Sequence, residues 1–185
     1  DVAGVARSQL DVALQGASFG GVELERLDVD GAGNAAAHTL TLSAAGEGGA
    51  ADIALDGSLA RIWQPDFDWR FELQRATLAY AELAPWALRT PATGRVTASA
   101  TALDETCWIS GEASLCLAAS QRQGGTTARL EIGDLPFQYF ATFLPSGTRV
   151  TGTVAATGEL VLPPGEAPQL TLDVTTSSGR VGSEL

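Results

Sequence analysis

The sequence predicts an all-β protein, built as an elongated, antiparallel-rich sheet with one or two short helical turns. Three observations carry this. Apolar and polar residues alternate with period 2 along most of the 185 residues, which places one set of side chains on each face of a sheet. Gly- and Pro-rich turn signals interrupt the alternation at intervals of about 10–15 residues, the mark of an all-β meander. Helical spacing is confined to two short stretches.

From the N-terminus, residues 9–15 alternate strictly (Gln-Leu-Asp-Val-Ala-Leu-Gln). Val22 and Leu24, then Leu27 and Val29, alternate with a change of phase at Glu25-Arg26 that predicts a bulge. Residues 38–43, 52–56 and 169–175 alternate as cleanly, and 69–80, 94–103, 126–132 and 149–162 are further strands. Turns are expected at Gly20-Gly21, at 31–34, at 46–49, at Gly124-Gly125 and at Pro163-Pro164-Gly165. Phe137, Phe140, Ala141 and Leu144 fall at i, i+3, i+4 and i+7, which predicts a short helix with Asp134 as N-cap and Pro145 as its stop. A shorter helical turn is expected within 80–91. An offset of 54 superposes Leu78 on Ile132, Trp86 on Phe140, Pro91 on Pro145 and 95–97 on 149–151. The chain therefore reads as one β segment, residues 1–185, with repeat units at 76–131 and 132–178.

Only 18% of residues are charged and the net charge is −11, with eleven Arg, no Lys and no Met. An acidic chain without basic runs repels phosphate backbones, so no nucleic-acid partner is expected. The missing Met predicts a segment of a longer protein. No apolar run approaches 18 residues, so any anchoring or targeting segment is expected outside it.

Cys107 and Cys116 enclose eight residues centred on Gly111-Glu112. A two-residue type II′ turn there pairs the cysteines across a non-hydrogen-bonded position, with Cα atoms about 4.5 Å apart, inside the roughly 4.4–6.8 Å range of disulfides. A cross-strand disulfide follows, and with it an oxidising compartment. The alternative is two free or metal-bound thiols; a single His and the lack of a CxxC pair count against zinc.

Catalytic constellations are sparse, and no enzyme, cofactor or metal is expected. His38 begins an alternating strand with no nucleophile motif beside it. Asp28/Asp30 and Asp66/Asp68 sit at i, i+2, as glycosidase carboxylates or plain solvent-facing acids would. Asp28, Asp30 and Gly33 match three positions of a calcium loop, but Ala32 and Thr39 occupy two ligand positions, so the segment reads as a turn.

The apolar face is aliphatic and small, with six Phe, four Trp and two Tyr in the whole chain. Two arrangements can cover it: an ordinary sandwich, or a sheet curled into a U-shaped trough whose interior takes up acyl chains, at about 0.8 kcal/mol per CH₂. In the trough, Leu40, Leu42, Ile53, Leu55, Leu170, Leu172 and Val174 line a lipid groove. An assembly module offering strand edges by β-augmentation and a structural spacer are the competing functions.

The chain resembles the TamB family, the AsmA-like translocation and assembly subunits of Gram-negative bacteria. The resemblance rests on 37–42 followed by 55–59, on Trp69 and the segment 80–86, and on Cys107-Trp108 with 115–117. It continues through 135–137, Leu144-Pro145 and the strand from Gly152 to Leu160. It implies a β-taco, a folded-over sheet with an apolar groove, within a periplasmic protein anchored in the inner membrane. It also implies phospholipid as cargo between the two membranes, an outer-membrane Omp85-type (TamA-like) partner, and a middle or C-terminal position for this segment.

Overall fold

The computed structural model describes residues 7–19, 22–61, 64–80, 83–145 and 147–183. Among these residues fourteen strands follow one another. The first five are β1 (Ser8–Phe19), β2 (Val22–Gly33), β3 (His38–Gly46), β4 (Gly49–Ala60) and β5 (Asp68–Tyr80). The next five are β6 (Trp86–Leu88), β7 (Ala92–Thr97), β8 (Thr101–Ser110), β9 (Ala113–Arg122) and β10 (Gly125–Pro136). A 3₁₀ helix (Phe137–Phe143) precedes β11 (Thr148–Thr151), β12 (Thr153–Leu162), β13 (Gln169–Thr176) and β14 (Arg180–Ser183).

Twelve of these strands form one curled sheet in the order β1-β2-β3-β4-β5-β6-β8-β9-β10-β12-β13, with β7 sharing with β6 the place between β5 and β8. Every described pairing is antiparallel, and β11 and β14 pair separately. Apart from β11 against the 3₁₀ helix, substantial packing joins only hydrogen-bonded neighbours. Among the described residues there is no second layer, so they form no sandwich.

A one-layer sheet has almost no interior, and the surface area says so. The chain exposes 12795 Å², whereas a compact monomer of 19.0 kDa exposes about 8,400 Å² by the surface-to-mass scaling. Among the described residues, the buried hydrophobic ones are Ala76, Ala92 and Ala113, and no large side chain is fully buried. No helix among the described residues is long and apolar enough to cross a membrane.

Bulges keep the apolar set on one side. The register steps by one extra residue on β5 opposite Ala54/Leu55, on β8 between Leu103 and Thr106, and on β10 between Ile132 and Leu135. At each, the apolar phase of the sequence shifts by one as well, from Leu73 to Ala76 on β5 for instance, so the face is preserved. The bulge expected at Glu25-Arg26 is different. Leu14↔Leu27 and Ala17↔Leu24 share one register, so both strands take the irregularity together, with Gly16 at φ 64° opposite Glu25.

Several local expectations are corrected. The Phe-rich segment is a 3₁₀ helix whose N-cap is Pro136, while Asp134 stays in β10 at the bulge with φ 47°. The chain has not yet left the ladder at Asp134, so its carboxylate cannot cap. The helical turn within 80–91 is replaced by β6, whose Trp86 pairs with Leu78. The turn expected at 31–34 falls later. The strand runs through Gly33, and Asn34 Oδ1 accepts the N–H groups of Ala36 and Ala37 at 2.9 and 3.0 Å. The Gly20-Gly21 turn lies outside the described residues. The segment 149–162 divides into β11 and β12 at Gly152, φ 113°.

Candidate functional site: the apolar face

Directly opposed residues of an antiparallel pair share a face, so the register traces one surface across the whole sheet. Leu10, Val12 and Leu14 oppose Gly31, Val29 and Leu27; Val29 opposes Leu42, which opposes Ile53, which opposes Ala76. Leu78, Trp86, Leu88 and Trp108 carry the same face into β8. Leu115, Ile132, Ala156 and Val174 carry it to β13. Eleven strand positions at about 4.8 Å spacing make an apolar strip on the order of 50 Å long. From β3 to β13, its paired positions include no Asp, Glu or Arg.

The seven expected groove residues all fall on this face, in two groups. Leu40, Leu42, Ile53 and Leu55 are mutual neighbours, Leu40 opposite Leu55 and Leu42 opposite Ile53, and all four are half-buried. Leu170, Leu172 and Val174 lie on the edge strand β13, 68%, 55% and 55% exposed. The two groups do not touch; they are distant parts of one strip.

The strip deepens beside the first group. A cavity of about 640 Å³ is lined by His38, Leu40, Leu55, Leu59, Gln64, Phe67 and Trp69. Trp69 Nε1 donates to His38 Nε2 at 3.1 Å, so His38 belongs to the apolar face rather than to a catalytic triad. Trp69 and Phe71 lie with ring centroids 4.8 Å apart, and Phe71 folds over Gly94 of β7. At the β8–β9 end, Ser110 Oγ donates to Ala84 O at 2.8 Å and bonds Tyr139 of the 3₁₀ helix at 2.9 Å; Trp86 meets Tyr139 edge-on.

The opposite face is polar and holds the ion pairs. Asp68, 7% exposed, accepts from Arg95 at 2.7 and 2.9 Å and from Arg70 at 3.2 Å. Hydrogen bonding from Arg95 holds its carboxyl below the usual range, against the opposing effect of burial, with Arg70 adding to the lowering. Arg70 and Arg95 are direct cross-strand partners, so Asp68 offsets a like-charge contact. Asp28 pairs with Arg26 inside β2, and Asp66 with Arg61 at 2.9 Å. Cys107 and Cys116 form the disulfide, Cα atoms 4.0 Å apart, across β8 and β9. It lies on the polar side, since its neighbours Trp108 and Leu115 face the strip.

The seven leucine-type positions were legible from alternation. The His38–Trp69 bridge and the Asp68 cluster were not, because each joins residues about 30 apart through strand pairing. Gly57, between His38 and Trp69 on β4, is the one sequence signal that marks the first.

Neither a curated protein nor a solved structure gives a significant match. The family described as TamB, N-terminal domain, matches residues 2–185. The match replaces the middle or C-terminal position with the N-terminal domain. The chain belongs to the TamB family of translocation and assembly module proteins.

Proposed function

We propose that the chain is a lipid-conducting segment, which shields phospholipid acyl chains in its apolar trough between the inner and outer membranes. The observation that supports this most is the strip itself: among the described residues it is continuous over eleven strand positions, uncharged at its paired positions from β3 onward, and covered by no second layer. Hydrocarbon is as apolar as Leu, so a chain moving from bilayer to trough exchanges one such surface for another. It keeps the roughly 0.8 kcal/mol per CH₂ that water would cost it. The trough then needs only to be apolar and unbroken. The reading places the chain in the periplasm, where the disulfide persists, within a protein anchored in the inner membrane. Its expected partner is an outer-membrane Omp85-type, TamA-like protein. It assigns no catalytic group.

The test is phospholipid transfer from donor to acceptor vesicles. The wild-type chain accelerates it and Leu55→Asp abolishes the acceleration; equal rates for both overturn the reading.

A second reading has its own observation. All eight residues of β13 are exposed and pair only with β12, and the strand holds no Pro or Lys of the kind that protects edges. Such an edge can add a strand from an outer-membrane client by β-augmentation. Proline within β13 would abolish client binding and leave lipid content unchanged.

A further inference from the structure

The uncharged strip carries a built polar feature at the wall of the cavity. His38 opens β3 and Trp69 stands near the start of β5, so β4 runs between them. Their hydrogen bond, 3.1 Å, crosses β4 at Gly57, the direct partner of His38. A Cβ at Gly57 would collide with His38 Nε2 and lie 3.0 Å from Trp69 Nε1. The glycine is thus a notch through which two side chains meet above an intervening strand.

The bridge sets the imidazole's chemistry. Trp indole is a donor only, so Nε2 must accept, and the neutral ring carries its proton on Nδ1. Among the described residues nothing bonds Nδ1, which remains a donor on a cavity walled by Leu40, Leu55, Leu59 and Phe67, with the exposed Gln64 at its rim. A bare hydrocarbon offers this donor no acceptor. A free inorganic anion gains nothing from the apolar walls and meets no Arg on this face. A molecule with both a long acyl chain and an acceptor oxygen at its root satisfies the whole site.

Resting on the lipid-conducting reading, we propose that the Gly57-notched His38–Trp69 bridge and its cavity form a discrete binding site for an acyl-ester lipid. Hydrocarbon packs on Leu40, Leu55, Leu59 and Phe67, and an ester or phosphate oxygen accepts the His38 Nδ1–H. The site gives the strip a fixed starting register for its cargo.

The test uses bromine quenching of tryptophan, which acts only at contact range. Two forms of the full chain each keep one tryptophan, Trp69 or Trp108, with Phe at the other three Trp positions. They are titrated with phosphatidylcholine brominated on its acyl chains, and separately with the matching brominated diacylglycerol. Trp69 is expected to quench at lower lipid concentration than Trp108. His38→Ala should raise the half-quenching concentration about fivefold, one hydrogen bond's worth, and His38→Gln, which keeps an acceptor and a donor, should recover most of it. A His38 effect with both lipids assigns the ester oxygen; an effect with phosphatidylcholine alone assigns the phosphate. Quenching of Trp108 with Trp69 unaffected overturns the site and leaves the conduit standing. Quenching of neither overturns both.

Discussion

Replacing Leu42 by Asp separates an open groove from a packed core. Leu42 is half-buried, flanked by Val29 and Ile53 on the adjoining strands. Full burial of such a side chain is worth about 1.5–3 kcal/mol, so half of it, with a lost cross-strand contact of roughly 0.2–1 kcal/mol, puts the cost to folding at about 1–2.5 kcal/mol. In a dry core the same carboxylate would cost more than about 4–5 kcal/mol, as an unpaired buried charge. For cargo the cost is different. A hydrated carboxylate on the floor displaces acyl CH₂ groups worth about 0.8 kcal/mol each, and three of them weaken binding about fiftyfold. Urea unfolding of the purified variant gives the first quantity, and lipid extraction with phosphate assay the second. A folded variant with a slightly lower midpoint and little bound lipid is the expected pair of results. A variant that cannot fold, or one that folds and keeps its lipid, refutes the reasoning.

Gly57→Ala is expected to break the His38–Trp69 bridge and destabilise the chain by about 1–3 kcal/mol through overpacking, with a change in Trp emission that a solvent-facing Gly124→Ala does not produce. Asp68 has a depressed carboxyl pKa in the folded chain, so its stabilisation is complete above the normal carboxylate range, near pH 4, and is lost as pH falls through the folded value. Melting temperature should therefore drop more steeply below pH 4 in the wild type than in Asp68→Asn, which is already weaker at neutral pH because Arg70 and Arg95 face each other uncompensated. Parallel curves would contradict that assignment. Opening the Cys107–Cys116 link with paired serines should cost about 2–3 kcal/mol by loop entropy, measured in denaturant, and leave lipid content intact, since the disulfide lies on the polar side.

How much of this is legible in sequence depends on how local the cause is. Alternation in 38–43 and 52–56 names both faces of β3 and β4 before any pairing is known, since a strand's side chains swap sides at every residue. The Cys107–Cys116 link was equally readable, because a two-residue turn dictates its partners. The 3₁₀ helix defeated pattern reading in a specific way. Phe137, Phe140, Ala141 and Leu144 have helical spacing, but Asp134 lies in the bulge of β10 and pairing with β12 resumes after it at Leu135 and Pro136, so the ladder takes precedence over the cap. Trp86 likewise sits among residues that suggest a helical turn, and strand pairing with Leu78 claims it. The His38–Trp69 bridge and the Asp68–Arg95 pair depend on which strands become neighbours, and no local pattern contains that information. The absence of a second layer also escaped periodicity, since a sandwich and an open trough share the same alternation.

The most direct test of the central claim is native mass spectrometry, with organic extraction, of the chain purified without detergent from a bacterial periplasm. The account predicts co-purifying phospholipid in the wild type and its loss from a folded Leu42→Asp variant. A folded, lipid-free wild-type monomer would contradict it, and the apolar strip would then have to be covered by something other than lipid.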